Sequence, residues 1–222
     1  MMLKTSMFAW MTLAAGLLWG MAAQATDPSD LRPPEQIIEG VFSDAVDALV
    51  ENQDAIRDRP RVAFELIDDI LSPHVHYPLM GQLILTSEWR TASEAQRQEF
   101  LDTFREYIIR TYSKLLSDNV DEVVRVVQQS GTIMAVRSVT EPDQRGRVTV
   151  RTQFLLESGN VPVQYRMIAT DNGWRVWDVV IESISFVTNY RDEFGSEMRR
   201  HGLDGLIERL KERNARAWES QS

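Results

Sequence analysis

Apolar positions recur at helical spacing from about Glu35. Ile37, Ile38, Val41, Phe42, Ala45, Val46, Leu49 and Val50 form a broad stripe, with Glu39, Asp44, Asp47 and Glu51 opposite, which predicts an amphipathic helix. Pro60 as a first-turn proline and Pro73 as a stop bracket a second helix with Val62, Phe64, Leu66, Ile67, Ile70 and Leu71 on its apolar side. Leu79, Met80, Leu83, Ile84, Leu85 and Trp89 read as one or two further helical turns. Ser93 and Gln96 form a capping box. Behind it Phe100, Leu101, Phe104, Tyr107, Ile108, Tyr112, Leu115 and Leu116 predict a helix of about 24 residues.

After Asn119 the period falls to two. Glu122–Gln129, Thr132–Thr140, Arg147–Glu157, Val161–Asp171 and Trp174–Ser183 are five β-rich runs, separated by turn residues such as Ser130-Gly131 and Asn172-Gly173. Val148, Val150, Phe154 and Leu156 share one face of the third run, opposite Thr149, Arg151, Gln153 and Glu157. In the fourth run Val163, Tyr165, Met167 and Ala169 oppose Gln164 and Arg166. Helical patterns return from Asn189 to Arg200 and from Asp204 to Trp218, parted by His201 and Gly202. The expected class is α+β: a curved antiparallel sheet of about five strands covered by helices, with an apolar cavity between the layers.

Composition narrows the function. A net charge of −9 argues against nucleic acid as a partner. The absence of cysteine excludes disulfides, thiolate nucleophiles and cysteine-bound metals. Lys4, the apolar run Met7–Met21 and the small-x-small site Ala23-Gln24-Ala25 describe a secretory signal peptide, because the run falls short of the ~20 residues that span a bilayer. Residues 1–25 are therefore expected to be cleaved, 26–34 to form a flexible leader, and 35–222 to fold as one exported domain. Twelve acidic residues face four arginines between Asp27 and Asp69, so the first helices carry much of the negative charge.

Candidate chemistry is sparse. His74 and His76 have a spacing that metals use, but a third ligand is missing. His201 has no nucleophile motif near it. Asp178 and Glu182 fall on one face of an extended chain, with Val180 between them, and are a carboxylate pair that could act as acid and base, although an aspartate near a strand end more often binds local backbone amides. Phosphate loops, dinucleotide fingerprints and zinc-hydrolase motifs are absent. What remains is an excess of aromatic and flexible apolar side chains that either fill a core or line a pocket.

The stretch LSPHVHYPLMGQLILTSEW, Leu71–Trp89, followed by TASEAQRQEFLDTFREYIIRTYSKLL, resembles the MlaC or toluene-tolerance family of periplasmic phospholipid-binding proteins. Gln96, Arg97, Phe100, Phe104 and Ile108 meet that family's helix pattern, although Ile84-Leu85-Thr86-Ser87 lacks its usual glycine. The likeness continues through GWRVWDVVIESISFVTNYRDEFGSEMRRHGLDGLIERL, Gly173–Leu210, with Trp174, Asp178, Glu182, Ser185, Gly202, Asp204, Gly205 and Leu206 in place. It implies a monomeric periplasmic carrier without cofactor or metal. Its partners would be phospholipid, an inner-membrane ABC transporter complex with its substrate-binding ring, and an outer-membrane lipoprotein/porin complex. The acyl chains would lie between Met80, Leu83, Ile84, Phe100, Phe104, Tyr107 and Ile108 on the helices and Phe154, Tyr165 and Met167 on the sheet. Some family members accompany hopanoid biosynthesis, so a carrier of hopanoid or another apolar lipid is the alternative cargo reading. The rivals from other classes are a cone-fold enzyme using Asp178 or Glu182 and a periplasmic adaptor with a filled core.

Overall fold

A computed structural model of the chain describes residues 32–59, 61–130, 133–156 and 159–219. The expected signal peptide and residues 26–31 of the expected leader lie outside these residues. Pro34 opens α1 (Pro34–Glu51), whose Ile37, Ile38 and Leu49 are buried, since a first-turn proline loses no helical hydrogen bond. Next come α2 (Gln53–Asp58) and α3 (Arg61–Leu71), then a 3-10 turn over Ser72–His74. Helices α4 (Tyr77–Leu85) and α5 (Ser87–Thr91) follow. The capping box of Ser93 and Gln96 starts α6 (Glu94–Asp118), 25 residues long.

The run Glu122–Gln129, expected as a strand, is helical. It belongs to α7 (Val120–Ser130). Val120, Val123, Val124 and Val127 also fit the i, i+3, i+4, i+7 spacing, and burial decides between the two periods. Val120 and Val124 retain 4% and 2% of their surface in a cluster with Leu49, Ile56 and Ala63. Packing against α1–α3 thus outweighs the β-preference of valine.

The sheet still has five strands: β1 (Met134–Val139), β2 (Arg147–Leu156), β3 (Gly159–Thr170), β4 (Gly173–Ile181) and the short β5 (Ile184–Ser185). They form an open meander in the order β1-β2-β3-β4-β5, every pair antiparallel. Tyr165 pairs with Val150 and Val179, and Met167 with Val148 and Val176, so the apolar alternation expected for β2 and β3 lies in register across the sheet. Helix α8 (Phe186–Glu219) closes the chain. Gly202 breaks it at φ 69°, ψ −177°, the interruption expected beside His201. Among the described residues no helix is long and apolar enough to cross a membrane.

Buried apolar side chains gather in three clusters. One joins α4, α6 and α8, a second joins α1 to the inner face of the sheet, and a third ties α1–α3 to α7. The inner face is consequently covered in part by α1, whose contacts reach β1 and β2.

Candidate functional site

The ten apolar residues expected around a ligand separate into two groups. Met80, Ile84, Phe100 and Phe104 are buried in the α4–α6–α8 cluster, with Leu83, Tyr107 and Ile108 half-buried against it. Phe100 and Phe104 stack with ring centres 5.5 Å apart, and the Phe194 ring meets each edge-on. Both retain none of their surface, so they supply helix–helix packing. Gly81 belongs to the same packing, because a Cβ there would lie 2.7 Å from Leu101 Cδ2.

Phe154, Tyr165 and Met167 occupy the second cluster, on the inner face of the sheet. Met167 is fully buried, whereas Phe154 and Tyr165 keep accessible surface. Strand alternation places Val136 and Val179 beside them, and α1 brings Val41 and Phe42 over them, the Phe42 and Phe154 rings meeting edge-on at 5.5 Å. A fully packed side chain has no surface left for a ligand. The half-buried apolar set Val41, Phe42, Val136, Phe154, Tyr165 and Val179 has both the chemistry and the remaining surface. Only Phe154 and Tyr165 of these were singled out in the sequence. The signal for the others lay in the same places: the alternation along β1 and β4 and the apolar stripe of α1.

Tyr165 reports the polarity of this face. Burial pushes its hydroxyl up to about 12, and the Thr152 side chain offsets that in part by hydrogen bonding. A phenol held neutral so firmly marks surroundings poor in water and charge. Burial likewise raises Tyr190, aided by Tyr112 and Tyr107, between the α6 and α8 helices.

The expected carboxylate pair is not a pair. Asp178 retains none of its surface and accepts hydrogen bonds from Arg166 (2.9 Å), Ser185 (2.8 Å) and the Val187 backbone N–H (3.0 Å). Glu182 is exposed in the turn between β4 and β5, at φ 47°. Asp178 therefore joins the sheet to the start of α8, leaving no free oxygen directed at a substrate. His76 is engaged locally as well, since its Nδ1 accepts the Leu79 N–H at 3.1 Å and caps α4. His74 is half-buried, and burial followed by the charge of Arg175 pushes its imidazole below the usual range. Two polar clefts on the described surface include none of the ten apolar residues. One, of about 340 Å³, lies between Asp68, Ser72, Tyr77 and Arg105; the other, of about 240 Å³, lies between Asp143, Arg147, Arg166 and Trp177.

The family model described as MlaC protein matches residues 39–212, which hold every element discussed above except the first turn of α1 and the end of α8. The chain belongs to the MlaC protein family. It is 24% identical over 194 residues to the toluene tolerance protein Ttg2D of Pseudomonas putida, covering 86% of this chain and 85% of that protein. It is 21% identical over 210 residues to the intermembrane phospholipid transport system binding protein MlaC of Haemophilus influenzae, covering 91% and 92%. A phospholipid-binding protein from Ralstonia solanacearum, solved in complex with a phospholipid, has the same fold. Its TM-score is 0.71 at 23% identity, over 84% of this chain and 99% of that one. The α+β architecture read from the periodicity is thus one that this solved phospholipid-binding protein shares.

Proposed function

We propose that the protein is an exported carrier that holds phospholipid acyl chains against the inner face of the sheet and moves the lipid through the periplasm. The observation that carries this reading is the half-buried apolar set from Val41 to Val179 on the inner face of the sheet. Family membership and relatives named for phospholipid transport support it. Two acyl chains present on the order of thirty methylenes, and at ~0.8 kcal/mol each their exposure to water costs more than about 20 kcal/mol. Free diffusion is closed to them, while an apolar cleft exchanges one hydrocarbon environment for another. Such exchange is nearly neutral, so a docked partner sets the direction of loading.

In this reading the signal peptide at Met1–Ala25 delivers the chain to the periplasm. The carrier then serves an outer-membrane lipoprotein/porin complex at one end and an inner-membrane ABC transporter at the other, keeping the outer membrane's lipid asymmetry. No proton transfer is required. That agrees with Asp178 being occupied at the β4–α8 junction and Glu182 lying in an exposed turn.

Native mass spectrometry of the protein purified from a bacterial periplasm tests the proposal. Diacyl phospholipid is expected to accompany the folded chain and to appear in an organic extract. Unliganded polypeptide alone, under conditions that keep a control carrier loaded, overturns the reading; a polycyclic lipid in the extract reassigns the cargo.

A further inference from the structure

Charge on the sheet is one-sided in both senses. The four long strands contain five arginines, Arg137, Arg147, Arg151, Arg166 and Arg175, and a single carboxylate, Asp178. In a chain of net charge −9 this is a reversal of sign. Helices α1–α3, by contrast, carry ten carboxylates and two arginines.

All five arginines share the outer face, opposite the Tyr165 side. Thr149 pairs with Arg166, Arg147 with Ile168, and Ile168 with Arg175, so Arg147, Arg166 and Arg175 follow one side of the pleat. Arg151 lies two residues beyond Thr149 on the same side. Arg137 joins them by donating to Gln153 Oε1 at 2.7 Å across the bulge in β1. Asp178 is fully buried beneath Arg166, and Asp143 engages Arg147 at 2.7 Å. Among the described residues no carboxylate pairs with Arg137, Arg151 or Arg175.

Among the described residues the same face carries no large apolar side chain that is exposed: Leu155 and Ile168 are half-buried, Val180 is buried, and Trp177 packs against the α4–α6–α8 cluster. Its tryptophan, Trp177, lies beneath the guanidinium groups of Arg147 and Arg166, whose centres are 5.7 and 5.8 Å from the ring. Of the exposed large apolar side chains on the sheet, Val139 pairs with inner-face Val150, and Ile181 pairs with inner-face Val163 and with Ile184. A specific protein interface is built around buried aromatic or aliphatic anchors. A plane of guanidinium forks without such anchors suits phosphate oxygens, which accept two N–H bonds at once.

We propose that the outer face of the sheet docks the protein reversibly on an anionic, phosphate-bearing membrane surface, with the acidic α1–α3 region repelled from it. Three arginines without a carboxylate partner give contact that is weak, oriented and screened by salt. This surface is separate from the acyl-chain face and does not depend on the cargo.

The test is co-sedimentation with vesicles of phosphatidylcholine, with and without phosphatidylglycerol, at low and high salt. Wild-type protein is expected to bind the phosphatidylglycerol vesicles at low salt, to ignore pure phosphatidylcholine, and to be released by high salt. The Arg137→Glu/Arg151→Glu variant should bind roughly tenfold more weakly or worse, with Arg137→Gln/Arg151→Gln between the two. The glutamine pair and the salt series decide the matter if charge reversal impairs folding. Failure of wild type to bind at low salt, or equal binding by folded variants, overturns the proposal. Retention on immobilised polyglutamate without vesicle binding overturns it in favour of an acidic protein surface. Bound lipid is measured in the same preparations: lipid-free protein that docks sinks the carrier reading alone, and loaded protein that does not dock sinks this one alone.

Discussion

Thr86 stands at φ 52°, ψ −108° between α4 and α5, a backbone region that a β-branched side chain occupies only under strain. Relief of strain outweighs the added freedom of the unfolded chain, so Thr86→Gly is expected to stabilise the protein by about 1 kcal/mol. A thermal melt should rise by roughly 2–4 °C; an unchanged or lower midpoint refutes the strain. Tyr165 offers a spectroscopic check at the same scale. With its hydroxyl raised to about 12 from 10.0, it contributes stability that is complete below pH 10 and is lost as pH climbs through 12. Phenolate absorbance should therefore show a component with a midpoint near 12, distinct from the still higher Tyr190, and Tyr165→Phe should remove that component.

Between elements, two carboxylates act as clamps. Asp178 connects β4 to Arg166, Ser185 and the start of α8 through three hydrogen bonds. Asp178→Ala leaves a buried donor set and a cation without a partner, and urea unfolding should show a loss of about 3 kcal/mol. Asp178→Asn, which keeps an acceptor, should lose less. Neither change should alter lipid chemically. Asp143 organises the connection from β1 to β2: its oxygens accept from the Arg147 side chain, from the Arg147 N–H at 3.0 Å and from the Arg145 N–H at 2.8 Å. The side chain of Arg147 is the first cause that holds this carboxyl at about 2. A depressed acid stabilises above its unfolded value near 3.8, and the contribution disappears as pH falls through about 2. The Asp143 carboxyl carbon shift should titrate with a midpoint near 2 in wild type and return toward 3.8 in Arg147→Gln.

For the molecule as a whole, the decisive distinction is between apolar residues that pack and those that retain surface. Met167 and Tyr165 alternate on one strand and share the inner face, yet only Met167 is fully buried. Met167→Gln should cost several kcal/mol, since it buries an unpaired amide in a filled site. Any fall in bound lipid should then follow the folded fraction. Tyr165→Gln should instead lower phospholipid per folded molecule more than it lowers the melting midpoint. Equal behaviour of the two variants, read by lipid phosphorus and by melting in parallel, would reassign Tyr165 to the core.

The chain's periodicity alone determined the amphipathic α1, the long capped α6, the four long strands and the glycine break in α8, because these depend on local geometry: caps, turns and the 3.6 or 2.0 repeat. It also placed Phe154, Tyr165 and Met167 on one face. Tertiary structure decided the rest. Val120–Ser130 satisfies both periods, and only the presence of Leu49, Ile56 and Ala63 beside Val120 and Val124 makes it helical. Phe100, Phe104 and Ile84 have the same composition as a ligand pocket, but α8 fills the space around them. Asp178 and Glu182 are four residues apart, yet the turn at Glu182 and Ser183 sends one to solvent while the other is enclosed by Arg166, Ser185 and Val187. Spacing tells which side chains share a face. What covers that face, and how much surface it leaves, depends on segments distant in the chain.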